Sequence, residues 1–269
     1  MNAPSIFTVL LAAVALQAGV RVQMESTDLV NGKTTAQETL MDATRLRVNS
    51  DGNTSILFLT DGGRNRMLIL DKQKNEYREI DQQTMDQMGQ QMQGAMSQME
   101  EMMKNMPPQQ REMMEKMMKG KMPQMASARP ATVYSVKGRS TVNGFACAQY
   151  EGTRAGEKVA DVCTAPPSAL KIAAADAQLF EKMREFTIGF QKALANSPFL
   201  SNLTASPISE AGFEGFPVQR ISFRSGQATN KQELKSVNQA TFTDADFSVG
   251  NAKKVEMPSM GPMGRPDRR

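Results

Sequence analysis

Thioethers and thiols are the side chains whose type and spacing could carry chemistry in this sequence. The 269 residues hold 22 methionines, two cysteines and no histidine. Fourteen of the methionines fall between Gln82 and Met125. Met85, Met88, Met92, Met96, Met99, Met103 and Met106 step by three or four residues, which stacks them on one face of an α-helix. Met113/Met117 and Met114/Met118/Met122 repeat the pattern after Pro107-Pro108 breaks the run. Three uses of such a face are open. It could be a small core, because Met fills irregular apolar gaps. It could be an adaptable surface for a lipid, an acyl chain or an exposed hydrophobic segment of an envelope protein, formed by Met92, Met96, Met99, Met103, Met113, Met114, Met117 and Met118. It could also hold Cu(I) or Ag(I), since thioethers select soft metals; Met92, Met96 and Met99, with Met257, Met260 and Met263 of the tail, are then the ligands. Leucine would build an equally good core, so the excess of methionine asks for a cause.

The two cysteines, Cys147 and Cys163, carry a sharper expectation. Phe145–Thr153 and Glu157–Thr164 read as two strands around Arg154-Ala155-Gly156. A three-residue hairpin loop takes a left-handed third residue, where Gly156 falls. Counting outward from Thr153 opposite Glu157 places Cys147 directly opposite Cys163, within disulfide reach. The expected role is a structural staple; a redox or thiolate-metal role is the other reading.

Other chemistry is not marked out. No phosphate-cradling glycine loop, nucleophile elbow or C-x-x-C pair occurs, and the carboxylates are scattered. No catalytic residue and no cofactor is therefore expected, and a non-enzymatic protein is the reading. The net charge of +4 has both signs interspersed, so no nucleic-acid partner is implied.

Ile6–Leu16 is an apolar run too short to span a bilayer, followed by Ala13-Val14-Ala15 and by Ala18 before Gly19. That pattern predicts a signal peptide over 1–18, cut between Ala15 and Gly19, and a periplasmic mature chain without a transmembrane segment. Residues 1–18 lack Lys and Arg, and a buried N-terminal helix is the alternative.

These groups must be positioned by a β-rich scaffold. Strands with short links are expected from Val20 to Asp81: Asn31-Gly32, Asp51-Gly52 and Asp61-Gly62-Gly63 turn an antiparallel meander of about six. The methionine stretch reads as two helices, the second over Pro108–Lys119 and capped by Gly120. Thr132–Thr141, Phe145–Thr153 and Glu157–Thr164 resume the strands. Ser168–Ala195 reads as a helix with Leu170, Leu179, Met183, Phe186, Phe190 and Leu194 on its apolar face. Pro217–Ser225 and Lys231–Phe242 are the last two strands.

Several of these stretches resemble an uncharacterised bacterial periplasmic family related to the lipoprotein carriers LolA and LolB. They are Met67-Leu68-Ile69-Leu70-Asp71 with Glu76-Tyr77-Arg78-Glu79-Ile80-Asp81, Val142-Asn143-Gly144-Phe145-Ala146-Cys147-Ala148-Gln149-Tyr150, Gly215-Phe216-Pro217-Val218, and Phe242-Thr243-Asp244-Ala245-Asp246-Phe247-Ser248-Val249. The Met-rich insertion with Met106-Pro107-Pro108-Gln109-Gln110-Arg111 is similar as well. The resemblance covers about Val20–Met257. It implies an α+β fold in which a curved antiparallel half-barrel wraps over helices, with an apolar concavity for an acyl chain. The expected organisation is one domain over 19–254, a helical Met-rich hairpin inserted at 82–126, and a disordered tail at 255–269. A carrier of an apolar ligand is the expected function; a Cu(I)/Ag(I) binder and a structural envelope protein are the alternatives.

Overall fold

The computed structural model describes residues 16–50, 52–105, 107, 130–194 and 212–256. Residues 1–15 of the expected signal peptide, the second methionine helix and residues 257–269 of the tail lie outside them, while Gln17 and Ala18 open the first strand.

Among the described residues, twelve strands form one open curved sheet. The first meander is β1 (Gln17–Asp28), β2 (Thr34–Met41), β3 (Arg45–Ser50), β4 (Thr54–Asp61), β5 (Arg64–Asp71) and β6 (Glu76–Asp81). Helix α1 (Gln82–Lys104) leaves β6 directly. The second meander is β7 (Val133–Val142), β8 (Phe145–Arg154), β9 (Glu157–Ala165), β10 (Phe216–Arg224) and β11 (Gln227–Phe242), with helix α2 (Ala174–Leu194) between β9 and β10. The chain then adds a two-residue strand, β12 (Lys253–Lys254). The order across the sheet is β12-β6-β5-β4-β3-β2-β1-β11-β10-β9-β8-β7. Every pairing is antiparallel except β12 on β6.

The two meanders differ in regularity. Pairings from β1 to β6 keep one register throughout. The others, among β1 and β7–β11, each contain a shift, and such bulges bend and twist a strand, which curves this half. Hairpins turn on Gly62-Gly63, Asn143-Gly144, Ala155-Gly156 and Ser225-Gly226, with positive φ at both positions of each. That is the two-residue turn whose twist matches paired strands.

The β8–β9 link differs from the expected three-residue loop. It has two residues: Arg154 faces Glu157, and a bulge at Val159 shifts the ladder once more. Cys163 therefore lies opposite Gln149 rather than Cys147. Each difference moves the register by one residue. Their sum is two, the side-chain period of a strand, so both sulfurs keep the same face. The disulfide Cys147–Cys163 forms from this diagonal position, with the Cα atoms 5.4 Å apart.

The inner face carries the main core. Val20, Val22, Met41, Leu46, Phe58, Ile80 and Val218 point inward, and α2 lies against them with Leu179, Met183 and Phe186. The expected helix over Ser168–Ala195 is interrupted. Pro167–Leu170 form a single 3₁₀ turn, ended by Lys171 in the left-handed conformation, and α2 starts only at Ala174. Pro166-Pro167 suit the start of the turn, and the left-handed backbone of Lys171 is what stops it from continuing into α2.

The outer face of the first meander is covered by the segment that follows β11. Residues from Thr243 to Val255 run back across the sheet as a strap to reach β6 at the edge. Arg47 donates to the carbonyls of Asp246 and Ser248, at 3.1 and 3.0 Å. Phe247 is buried against Phe242 and Leu40, and the Arg45 guanidinium sits 4.4 Å from its ring centre. The amides of Lys253 and Val255 donate to the carbonyls of Asn75 and Tyr77. Val255, expected to open a disordered tail, is thus hydrogen-bonded to β6.

Candidate ligand-binding cleft

Helix α2 touches the sheet along one stripe and leaves a gap beside it. Leu179, Met183 and Phe186 take the stripe, with the Phe186 and Phe58 rings 5.6 Å apart. On the neighbouring flank Phe180 meets Phe216 of β10 at 5.1 Å. Between that flank, the 3₁₀ turn and the start of β10 opens a cleft of about 430 Å³. Its apolar lining includes Met41, Ile172, Ala177, Phe180 and Phe216, and its rim Gln178, Glu181, Lys182 and Glu185. Such a volume lies within the range of small-ligand sites, and an apolar floor with a few polar groups at the mouth is their usual chemistry.

Each wall has a local cause. Phe180 follows Leu179, so it sits about 100° round the helix from the buried stripe and faces the flank. Gly215 brings the chain to β10 with φ of +91°, and a Cβ there would stand 2.8 Å from the Ala165 carbonyl oxygen. That position therefore admits only glycine, and it fixes where Phe216 enters the sheet. Met41 ends β2, just before the turn Asp42–Arg45. The Asp42 carboxylate accepts the backbone amides of Thr44 and Arg45, both at 2.9 Å, and the Arg45 Nη2 lies 2.7 Å from it. Arg45 also bonds Gln17 at the start of β1 and Asp244 on the strap.

The residues singled out from the sequence are placed unevenly. Cys147 and Cys163 are joined and buried at 5% and 3% exposure, which makes them part of the core. Met85 also belongs to the core that α2 covers. Met92, Met96, Met99 and Met103 lie on the backbone of α1 at helical spacing, but their side chains fall outside the described residues. Met113, Met114, Met117, Met118, Met257, Met260 and Met263 fall outside them entirely. No group of three or more His, Cys, Asp or Glu side chains able to hold a metal occurs among the described residues. No described helix is long and apolar enough to cross a membrane. Sequence patterns do not single out the cleft as a site. Its one local signal is Gly215-Phe216-Pro217-Val218, whose Phe216 forms a wall.

The fold is mostly β, a single open curved sheet with a helix laid on its inner face and an apolar cleft at their junction. No described family matches the sequence, and no characterised protein is significantly similar to it. Solved structures are similar in shape at low identity. An uncharacterized conserved protein from Thermus thermophilus is 7% identical with a TM-score of 0.42, over 88% of this chain and 90% of that one. The complex of MucA and MucB from Pseudomonas aeruginosa gives 12% and 0.38, over 87% and 56%. MucB alone gives 10% and 0.35, over 88% and 58%, so this chain spans little more than half the length of MucB.

Proposed function

We propose that the protein is a non-enzymatic, extracytoplasmic binding or carrier protein that holds an apolar ligand, such as an acyl chain, in the cleft between α2 and the sheet. The cleft lining carries the reading: its apolar side chains are buried or half-buried, and its charged ones are exposed. The disulfide supports an oxidising compartment, the periplasm, because cytosolic thiols are kept reduced. Export fits the start of the sheet if cleavage falls after Ala15. Cleavage after Ala18 would remove Gln17, whose side-chain oxygen accepts from Arg45 at 2.9 Å. The methionine row of α1 would extend the apolar surface for a longer ligand or for a hydrophobic segment of an envelope protein.

A fluorescent fatty-acid probe titrated into the purified mature protein is expected to bind saturably. Phe180→Gln removes one aromatic wall at a half-buried position, and the affinity should fall about tenfold or more, the equivalent of losing most of one apolar side chain's burial. An unchanged affinity in Phe180→Gln would move the site elsewhere. The same titration repeated with Cu(I) and no probe reads the competing use of Met92, Met96 and Met99 as soft-metal ligands.

A further inference from the structure

The open sheet ends differently at its two edges. At one edge β12 and the amide of Val255 cover part of β6. At the other, β7 pairs with β8 alone, and no described strand lies on its outer side. The ten residues of β7 therefore present unpaired backbone donors and acceptors in strand geometry, a template for a further strand. Its apolar side chains are not shielded either: Val133 is 66% and Val136 69% exposed.

The register arranges the side chains of this edge. Val136 lies opposite Tyr150, and Arg139 opposite Ala148. Tyr150 and Ala148 are alternate residues of β8, so Val136 and Arg139 share one face of the sheet. Tyr134 alternates with Val136 and is on that face too; the Phe213 ring lies 5.0 Å from Tyr134 and 6.2 Å from Tyr150. Along β7 this face thus reads aromatic, apolar, cationic. The register shifts between Val136 and Gly138, which makes Lys137 a bulge, and its Nζ lies 2.8 Å from Glu151. Arg139 is exposed and makes no ion pair among the described residues. The β7–β8 hairpin as a whole sets Lys137, Arg139 and Arg154 against Glu151 alone.

We propose that the β7 edge is a docking site for an extended, acidic segment of another protein, which joins the sheet as one more strand. Main-chain hydrogen bonds hold it, alternate apolar side chains rest beside Tyr134 and Val136, and an acidic side chain meets Arg139. Charge selects this occupant. A second copy pairing over the whole of β7 would centre on Lys137-Gly138, where the bulge breaks the ladder, and would bring the cations of both copies together. The chain's own residues after Met257 are basic, with Arg265, Arg268 and Arg269 against Asp267. None of the residues lining the cleft lies on β7, so this site does not rest on the apolar-ligand reading.

Two fluorescein-labelled peptides, Thr-Val-Thr-Val-Thr-Glu-Thr-Glu and the same sequence with Lys for Glu, test the proposal by anisotropy with the mature protein. The acidic peptide is expected to bind saturably, and the lysine peptide at least about tenfold more weakly. Arg139→Glu changes an exposed side chain and should leave the melting temperature unchanged, yet reverse that preference. Hydrogen exchange in β7 should slow when the acidic peptide is bound, while exchange in α2 stays as it was. Absence of saturable binding, equal affinity of the parent for both peptides, or protection that falls on α2 instead of β7 would overturn the proposal. So would a peptide-free protein that sediments as a dimer with β7 already protected, since a second copy would then be the occupant. If Arg139→Glu does not fold, the comparison of the two peptides in the parent, which needs no variant, still decides.

Discussion

Phe247→Ala is expected to lower the unfolding free energy by about 3–5 kcal/mol, the usual cost of emptying a buried phenylalanine site. Phe247 is 4% exposed and is the buried side chain of the strap's 3₁₀ turn. Its edge meets Phe242 with ring centres 5.4 Å apart, and Arg45 covers its face. Alanine would break both contacts and leave a cavity over Leu40. The loss should be local in structure as well as large in energy. Beyond Phe247 the strap is held by two Arg47 bonds and by the amides of Lys253 and Val255 on β6. Hydrogen exchange at those two amides is therefore expected to rise together with the fall in denaturation midpoint. Phe247→Leu, which keeps most of the volume, should cost under about 1.5 kcal/mol. A loss below about 1 kcal/mol in the alanine variant, close to what an exposed residue costs, with intact exchange protection would mean the strap does not depend on this anchor.

Replacing Cys147 and Cys163 together by alanine should cost about 3 kcal/mol, the loop-closure value for a bridge of this span. The cysteines are 16 residues apart and join β8 to β9 within the inner core. Alanine is the informative choice because serine would add two buried hydroxyls. The denatured, unreduced parent should show no free thiol. A double variant as stable as the parent would mean that the hairpin register alone holds these strands.

How much of the fold is legible in the sequence depends on how local each cause is. The turns at Asn143-Gly144 and Gly62-Gly63 announce left-handed backbone by residue type, and the strands around each follow from them. Ala155-Gly156 announces it at only one of two positions, so the sequence suggests a loop one residue too long. Nothing local marks the bulge at Val159, which is set by how β9 pairs with its neighbours. The disulfide is still legible because the two slips add to one side-chain period. The buried face of α2 follows from helical spacing at Leu179, Met183 and Phe186. The 3₁₀ turn before it does not, since Lys171 carries no sign of a left-handed conformation. Least legible are the contacts made over long separations. Two residues, Lys253 and Lys254, are too few for a strand pattern, and they pair with Glu76 and Tyr77 from a distant part of the chain. The cleft draws its walls from β2, the 3₁₀ turn, α2 and β10, so no single stretch of sequence displays it. The methionine row is the most conspicuous pattern in the sequence, yet its one member with a described packing in the core cluster, Met85, is buried.

The most direct test of an apolar ligand in that cleft is photolabelling of the mature protein with a fatty acid that carries a diazirine near the end of its chain, followed by peptide mapping. Label is predicted on peptides containing Phe180 and Phe216, competed away by unlabelled fatty acid and reduced in Phe180→Gln. Label confined to the methionine row of α1, or no competable label at all, would contradict a ligand seated in the cleft.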